Sequence, residues 1–426
     1  MPRITVIGPH EARTIEQLER CVAAEDGAVG VLCADGHVGY SQPIGGAVGY
    51  RNHISPSGVG YDIGCGNKAV RTDLRAEDVV ADIPRLMDEI VARISFGVGR
   101  RNDEPVEHPV LDAIAAADFA PQRQLLDLAA KQLGTVGAGN HYVDLFADEE
   151  GFVWIGVHFG SRGFGHKTAS GFLALAQGLP FDGRAREGEM DSPPVLLAVD
   201  SDLGQAYVAA MTLAGAYAYA GRDVVVDRVL DILGAEAVLE VHNHHNFAWR
   251  ERHGEDELWV VRKGCTPAFA GQLGFVGASM GEDAVILEGV DTPQSRTALR
   301  STVHGAGRAM SRSKAAGKLR KRWVNNVRDD VTAYPSEAEA LAAPGATKAR
   351  KVLTRVGGAV DFAAVQRELR EQRIELRGGA ADEAPAAYKR LDEVLTHHEE
   401  SVAVRHRLRP IGVAMAPADT FDPYKD

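Results

Sequence analysis

The stretch Gly58-Val59-Gly60-Tyr61-Asp62-Ile63-Gly64-Cys65-Gly66 places a carboxylate and a thiol among four glycines. Glycine lets a backbone approach a ligand closely and adopt positive φ. Similar loops, in which glycine or asparagine accompanies a chemically capable side chain, recur after short β-branched runs. One such loop is weak evidence, whereas the shared pattern predicts a site assembled at strand ends. The further loops are Gly139-Asn140-His141, Val157-His158-Phe159-Gly160-Ser161-Arg162-Gly163, His242-Asn243-His244-His245-Asn246 and Ser301-Thr302-Val303-His304-Gly305-Ala306-Gly307-Arg308.

The hydrophobic pattern predicts a mixture of short strands and helices. Because the two do not alternate strictly, a doubly wound parallel sheet is disfavoured and the α+β class is predicted. We expect one domain over residues 1–426, with central β-sheets flanked by helices and a surface excursion at about 328–359. Strands are predicted at residues 4–7, 28–33, 142–146, 152–158, 237–242, 258–262 and 284–287. Helices are predicted at residues 76–94, 122–132, 204–220, 307–322, 362–372 and 385–398.

The composition is that of a chain with enough apolar residues for a sizeable core: 426 residues, 45% hydrophobic and 25% charged. No apolar stretch approaches the roughly 20 residues that span a bilayer. The N-terminal residues lack a signal-peptide pattern. Four cysteines without paired spacing, at positions 21, 33, 65 and 265, favour a reduced, cytoplasmic protein.

The loop residues form a mixed set of hard and borderline metal ligands, which suits Mn²⁺, Zn²⁺ or Fe²⁺. A thiolate can bridge two cations, and paired metals commonly clamp a phosphate during in-line displacement. The cysteines other than Cys65 are expected to be small buried hydrophobes, and a histidine such as His158, taken alone, is more often structural than a ligand. At most one or two of His242, His244 and His245 can face one metal, because alternate side chains of a strand point to opposite sides.

The loop around His304 places a histidine among small residues, with basic residues following it. The pattern predicts that a helix begins here, and a helix start offers free backbone N–H groups and a favourable dipole to phosphate. A neutral imidazole in this setting could attack a nucleoside triphosphate and form a covalent phosphoramidate. A further metal ligand or a helix cap would have the same sequence, and the residues alone leave these alternatives open.

Residues 292–328 contain ten basic side chains and no Asp or Glu, although the whole chain has a net charge of −12. The overall charge argues mildly against a nucleic-acid partner, but segregated basic residues can outweigh it. A solvated helix face is the usual explanation of such a run. Because the run follows the histidine-glycine motif, contact with nucleic-acid phosphates is an equally weighted hypothesis.

Several of these segments resemble the RtcB family of RNA-splicing ligases. The motifs stand in the family's order from about residue 31 to the C-terminus, so their combined specificity is high. Besides the stretch at 58–66, the matching segments are Leu133-Gly134-Thr135-Val136-Gly137-Ala138-Gly139-Asn140-His141, Gly160-Ser161-Arg162-Gly163-Phe164-Gly165-His166, Arg262-Lys263-Gly264-Cys265-Thr266, Gly277-Ala278-Ser279-Met280-Gly281, His304-Gly305-Ala306-Gly307-Arg308-Ala309-Met310-Ser311-Arg312, Ala387-Tyr388-Lys389 and Leu408-Arg409-Pro410-Ile411-Gly412-Val413.

The resemblance implies a deep cleft that holds two Mn²⁺ ions. By position in the motifs, Cys65 would bridge both ions, with Asp62 and His141 completing one site and His158 and His245 completing the other.

The resemblance also implies that His304 takes GMP from GTP and that Asp35 orients it. The planar guanidinium group can donate two parallel hydrogen bonds to a phosphate, so three arginines are candidates for binding RNA. They are Arg162, Arg308 and Arg312. The implied nucleotide-binding residues are Asn140, Asp144, Ser279, Met280, Gly305, Ala306, Gly307 and Tyr388.

The family joins RNA that ends in a 2′,3′-cyclic phosphate or 3′-phosphate to RNA with a 5′-hydroxyl. The cyclic end is first opened, and the resulting 3′-phosphate is activated with GMP and attacked by the 5′-hydroxyl. The implied partners are therefore such RNA ends, and an archease-type activator is a further candidate.

The chain departs from the family pattern in three places. Ala34-Asp35-Gly36-His37 stands where Pro-Asp-Val-His is usual, Asp144 replaces a glutamate, and Met415 replaces a lysine of the guanine pocket. These changes leave other hypotheses open. One is a paralogue that caps or repairs nucleic-acid ends with altered nucleotide preference. Another is a two-metal phosphodiesterase without covalent nucleotidylation, and a third is a catalytically silent RNA-binding protein.

Overall fold

The computed structural model describes residues 3–185, 190–327, 333–418 and 420. Within these ranges the strands are β1 (Ile4–Val6), β2 (Val29–His37), β3 (Ile44–Tyr50), β4 (His53–Ile54), β5 (Gly66–Arg75), β6 (Tyr142–Ala147), β7 (Phe152–Phe159), β8 (Leu197–Ala198), β9 (Ala237–His244), β10 (Asn246–His253), β11 (Asp256–Lys263), β12 (Cys265–Pro267), β13 (Leu273–Val276), β14 (Ala284–Gly289), β15 (Ser301–Val303), β16 (Lys318–Asn325), β17 (Ala349–Val356), β18 (Glu375–Arg377) and β19 (Val402–Met415).

The α-helices in the same ranges are α1 (Ala12–Ala23), α2 (Pro56–Val59), α3 (Ala76–Val79), α4 (Ile83–Arg93), α5 (Pro109–Ala115), α6 (Ala120–Arg123), α7 (Leu126–Gln132), α8 (Arg162–Ala176), α9 (Asp202–Leu233), α10 (Pro293–Thr297), α11 (Arg312–Ala316), α12 (Glu337–Ala342), α13 (Phe362–Glu371) and α14 (Leu391–Thr396). None of these helices is both long enough and apolar enough to cross a membrane.

Two large sheets form the framework. One has the strand order β1-β2-β3-β11-β10, and the other has the order β13-β14-β19-β6-β7-β5-β9, with β18 beside β19. The pairs β1–β2 and β18–β19 are parallel, whereas every other pair within these two sheets in the described residues is antiparallel. Mainly antiparallel sheets with helices packed against them confirm the predicted α+β class.

Helix α9 lies against the second sheet and joins two parts of the core. The Ser201 hydroxyl accepts a hydrogen bond from the Gly204 N–H at its start, and Gly234, at φ 63°, ends it. Buried Tyr217 packs against Phe164 of α8, and buried Val226 belongs to the apolar cluster over β6 and β7. The helix extends beyond the predicted range of 204–220, because its second half is stabilised by packing on the sheet.

The prediction of a helix at 307–322 is wrong. Helix α11 spans only five residues, and strand β16 follows and pairs with β17. Gly317 separates them at φ 84°, where a Cβ would lie 2.7 Å from the Val356 carbonyl oxygen. The prediction that a helix begins at His304 is also wrong, since His304 follows strand β15. The other predicted helices form, although those at 76–94, 122–132 and 385–398 are divided into shorter segments.

The range predicted as a surface excursion, 328–359, contains α12 and β17. Residues 328–332 of that range lie outside the described residues.

Candidate metal centre and its histidine

The order of four neighbouring strands explains why distant loops meet. Strands β6, β7, β5 and β9 lie side by side and run antiparallel. The starts of β6 and β5 therefore share one edge of the sheet with the ends of β7 and β9. Four candidate ligands lie at that edge. His141 and Cys65 directly precede β6 and β5, His158 is near the end of β7, and His245 directly follows β9.

The side chains at this edge form two groups that could hold metal ions. Cys65, His158 and His245 form one, and Asp62, Cys65 and His141 form the other, with potential ligand atoms within 4.8 Å of one another in each group. The Cys65 Sγ is shared and lies 3.8 Å from the Nε2 atoms of both His141 and His158. The shared thiol and the two groups match the arrangement that the resemblance implied.

The His158 ring is held by a neighbour that the sequence analysis did not identify. The Asn67 Oδ1 lies 2.5 Å from the His158 Nδ1, and the Asn67 amide donates to the Phe275 carbonyl. An N–H on Nδ1 leaves a lone pair on Nε2, the atom that faces Cys65, and such orientation of a ligand histidine is usual at metal sites. The Asn140 amide also lies 3.3 Å from this Nε2.

The charges of the donor set fit a bound cation. Burial, followed by neighbouring positive groups, holds the pKa values of His158 and His245 well below normal, so both imidazoles are neutral and can donate lone pairs. Burial alone would raise the pKa of Asp62, but the hydrogen bond and charge of His141 lower it to about 2. The buried His141 and His245 Nδ1 atoms have no hydrogen-bond partner within the described residues. A carboxylate, a thiol and three imidazoles therefore provide a suitable set for divalent metal ions.

His304 stands beside this cluster and is oriented by a buried carboxylate. The Asp35 Oδ2 lies 2.6 Å from the His304 Nδ1 and accepts a hydrogen bond of 3.0 Å from its backbone N–H. Burial alone would raise the pKa of Asp35, but the charge and hydrogen bonds of His304 outweigh it and lower the pKa below normal. The ring centroids of His304 and His245 are 4.9 Å apart. The Nδ1–H···Asp35 contact leaves the Nε2 lone pair of His304 available as a nucleophile.

Asp35 reaches His304 because β2 is irregular at this point. The pairing of β2 with β3 is interrupted between Leu32 and His37. Gly307, at φ 74°, packs against the backbone of Asp35. A Cβ at position 307 would lie only 2.1 Å from the Asp35 carbonyl oxygen. Only glycine fits this approach.

A cavity of about 920 Å³ contains the cluster and His304. It is lined by all eight residues that were predicted to bind nucleotide. Tyr142, Asp144, Val413 and Met415 line it from one face of the second sheet, since Tyr142 pairs with Met415 and Asp144 with Val413. Burial raises the pKa of Asp144 well above normal, and its Oδ1 has no hydrogen-bond partner among the described residues.

The three predicted RNA-binding arginines lie in different settings. Arg308 and Arg312 line the cavity, whereas Arg162 is not among the lining residues and donates to Thr135 and the Gly97 carbonyl. Arg308 donates to the Tyr388 hydroxyl and the Asp382 carbonyl, and Arg312 pairs with the carboxylates of Asp382 and Glu383. The sequence analysis missed this buried acidic pair. The RNA-binding role of all three arginines stays a prediction.

Arg222 is another functional neighbour that the sequence analysis missed. It is fully buried and donates to the Gly64 and Phe159 carbonyls, which flank Cys65 and His158, and to His242. Its Nη2 lies 3.0 Å from the His244 Nδ1. His242 and His244 therefore face Arg222, and only His245 of the three histidines joins the metal cluster. The available signal was an arginine that directly follows an alanine-rich helical run.

The fold is of the α+β class, and its site brings together residues that could hold metal ions. A family model described as "tRNA-splicing ligase RtcB" matches residues 18–120 and 112–371. The chain belongs to the RtcB family.

Relatives match the chain over most of its length. It is 30% identical to the tRNA-splicing ligase RtcB of Archaeoglobus fulgidus, with 90% of this chain and 87% of the relative covered. It is 29% identical to the RNA-splicing ligase RtcB of Escherichia coli K12, with 88% and 87% covered. It is also 29% identical to the tRNA-splicing ligase RtcB of Thermococcus kodakarensis, over 90% and 87%.

Proposed function

We propose that this protein joins RNA ending in a 2′,3′-cyclic phosphate or 3′-phosphate to RNA with a 5′-hydroxyl, with GTP and two Mn²⁺ ions as cofactors. The observation that carries the proposal is the position of His304. This histidine is oriented by Asp35, and its ring lies 4.9 Å from that of His245, a member of the proposed metal cluster. A nucleophile beside two candidate metal sites suits a reaction in which phosphoryl groups are transferred through a covalent intermediate.

In the first transfer, the His304 Nε2 attacks the α-phosphorus of GTP. An N–P bond forms, pyrophosphate leaves, and the Nδ1 proton stays on the ring, where the Asp35 carboxylate stabilises the developing positive charge. The negative carboxylate thus makes the imidazole a better nucleophile and also retains its orientation. Asn140 and Arg308 line the cavity and would contact phosphate oxygens.

In the second transfer, an oxygen of the RNA 3′-phosphate attacks the phosphorus of the His304-bound GMP. The N–P bond breaks, and the electron pair returns to the His304 Nε2. The 5′-hydroxyl of the other RNA then attacks the activated 3′-phosphate, which forms the phosphodiester and releases GMP. When bound, two Mn²⁺ ions supply charge neutralisation for these displacements and an activated water for opening a cyclic end. Asp62, Cys65, His141, His158 and His245 would hold them.

Guanine would lie against the sheet face formed by Tyr142, Asp144, Val413 and Met415, with Ser279 and Tyr388 on other walls of the cavity. Guanine N1–H and N2–H₂ would favour the ionised form of Asp144, which could then accept hydrogen bonds from both. The thioether of Met415 offers no donor to O6. This observation favours a second candidate, a paralogue that caps or repairs nucleic-acid ends with altered nucleotide preference. An archease-type activator stays a prediction.

The test is incubation of the purified protein with Mn²⁺ and α-labelled GTP, followed by gel electrophoresis under neutral and acidic conditions. An acid-labile, alkali-stable label on the protein, absent from His304→Ala, is the expected result. Ligation of RNA with matched ends should also require both GTP and Mn²⁺. A protein that cleaves cyclic phosphates but never becomes labelled would instead be a two-metal phosphodiesterase. Replacing GTP with labelled ATP tests the second candidate.

A further inference from the structure

Strands β16 and β17 form a two-stranded antiparallel ribbon outside both large sheets. Each strand has eight residues, and together they contain no Asp or Glu. The seven basic residues of the ribbon are Lys318, Arg320, Lys321, Arg322, Arg350, Lys351 and Arg355. The chain as a whole has a net charge of −12, so the ribbon is a local concentration of positive charge on an acidic protein.

Among the residues that the structure describes, most of this charge has no carboxylate partner. Lys318, Arg320, Lys321, Arg350 and Lys351 are exposed. Within the part of the chain that the structure describes, none of the seven basic residues pairs with a carboxylate. Exposed cations without intramolecular counterions are typical of surfaces that bind phosphate backbones.

The cations lie on both faces of the ribbon. Side chains alternate along a strand, and the register pairs Arg350 with Val324 and Lys351 with Trp323. Lys318, Arg320 and Arg350 therefore share one face, whereas Lys321 and Lys351 share the other. Helix α12 packs against the ribbon, but the cations exposed on its two faces can still approach the phosphates on the two sides of a groove in a nucleic-acid duplex.

The base of the ribbon is fixed to the cavity wall. Its two ends meet at α11, where the Ala359 and Val360 N–H groups donate to the Lys314 and Ala315 carbonyls. Arg312, the first residue of α11, lines the cavity. An eight-residue strand extends about 27 Å at about 3.4 Å per residue. The base of the ribbon is thus joined to the cavity wall through α11, and none of the ribbon's described residues lines the cavity itself.

We propose that the β16–β17 ribbon binds the phosphate backbone of a double-stranded RNA stem that flanks the broken ends in the cavity. This inference rests on the proposed RNA-joining function, and it assigns to the ribbon the contact with the stem. The attraction of the lysines and arginines to phosphate is independent of base sequence, so the ribbon selects for a stem and not for particular bases.

The test compares the variant Lys318→Gln/Arg320→Gln/Lys321→Gln with a control, Arg85→Gln/Arg93→Gln/Arg252→Gln. The control removes the same number of exposed cations, none of which lines the cavity. Two probes are used: a hairpin RNA broken in its loop, and a pair of short single strands with the same chemical ends. Affinities are measured over a series of salt concentrations, together with GMP labelling.

For the hairpin, the ribbon variant should bind about tenfold or more weakly, and the slope of log affinity against log salt should fall by about 2 to 3, since each lost phosphate contact removes roughly 0.7–0.9. Binding of single strands and GMP labelling should be unchanged, and the control should match the wild type throughout. Arg350→Gln/Lys351→Gln on the other strand should reproduce the effect.

Unchanged hairpin binding in both ribbon variants would overturn the inference and leave an acidic protein as the partner to test. Equal loss for the hairpin and the single strands would also overturn it, because the cations would then act at the cavity. If the wild type binds the hairpin through the ribbon but neither labels nor ligates, the proposed joining function fails while the RNA-binding role of the ribbon stands.

Discussion

The His304 Nδ1 lies 2.6 Å from the Asp35 Oδ2, and the same carboxylate oxygen accepts the backbone N–H of His304. One buried carboxylate thus fixes both the main chain and the ring of the proposed nucleophile. Because the hydrogen bond from the backbone N–H fixes the main chain at His304, the ring can turn little. The direction of the His304 Nε2 is therefore set before any nucleotide binds.

Asp35→Asn should slow GMP labelling by about 10²–10⁴, the range expected when a carboxylate that orients a catalytic histidine is replaced by an amide. The amide N–H₂ would face Nδ1 and favour the tautomer that carries its proton on Nε2. Initial rates of labelling at saturating GTP measure this effect, and His304→Ala should show no labelling. Labelling of Asp35→Asn at the wild-type rate would remove Asp35 from this role.

His398 should act as a positioning residue for the same pair. It is fully buried, its Nε2 accepts the Ala34 N–H at 3.2 Å, and its Nδ1 lies 3.3 Å from the Thr302 hydroxyl. It thereby links β2, which carries Asp35, to β15, which directly precedes His304. Burial lowers its pKa to about 4, so the ring is neutral at physiological pH.

His398→Ala should reduce the maximal labelling rate roughly tenfold to thirtyfold, since two hydrogen bonds of about 1 kcal/mol each are lost. The GTP concentration for half-maximal labelling should stay the same. His398→Gln, which can accept from Ala34 and donate to Thr302, should recover most of the rate. If Ala and Gln variants were equally slow despite wild-type thermal stability, the two hydrogen bonds would not be the cause.

Cys65→Ala should lose bound Mn²⁺ from both proposed sites, because its Sγ is the only ligand atom shared by the two groups of the described residues. Cys21→Ala is the matched control, since Cys21 is fully buried in the core and contacts the Ser41 carbonyl instead. Elemental analysis after dialysis against Mn²⁺ should give two ions for the wild type and the control. Full occupancy in Cys65→Ala would contradict the proposed coordination.

Met415→Lys should increase the preference for GTP over ATP. The Met415 and Asp144 side chains line the same face of the cavity, and an ammonium at position 415 could donate to guanine O6. A hydrogen bond to a charged group contributes about 1.5–3 kcal/mol, or roughly tenfold to a hundredfold in selectivity. The ratio of labelling rates with GTP and ATP measures it. Met415→Leu, which adds no donor, should keep the wild-type ratio, and an unchanged ratio in Met415→Lys would place the base elsewhere.

Arg222→Met should lower the free energy of unfolding by at least about 3 kcal/mol, because the buried Gly64 and Phe159 carbonyls would lose their donors. Arg222→Lys should recover little, since an ammonium cannot reproduce the planar fork. Arg228→Met, half-buried on the same helix, is the control and should lose only about 1 kcal/mol. Denaturant unfolding followed by circular dichroism gives these values, and equal losses at both positions would contradict the special role of Arg222.

The seven strands predicted from the sequence form close to their expected positions, because their β-branched runs are a local signal, but strands such as β5 and β19 were not predicted. The prediction failed at residues 318–325, where a run of Lys and Arg fits a helix as well as a strand. Pairing with Ala349–Val356, more than twenty residues away, decides that conformation. A strand that depends on a distant partner leaves little local signal.

By itself, the sequence determined the types of residue available for chemistry: a thiol, carboxylates and histidines in loops that allow close backbone approach. The family resemblance implied which of them meet, but only the tertiary structure gives the physical reason. Cys65, His141, His158 and His245 come together because four antiparallel strands present alternate ends at one edge. Asn67, Arg222 and His398 act through hydrogen bonds to residues distant in the chain. Such contacts depend on direction and distance in three dimensions, which the order of residues does not specify.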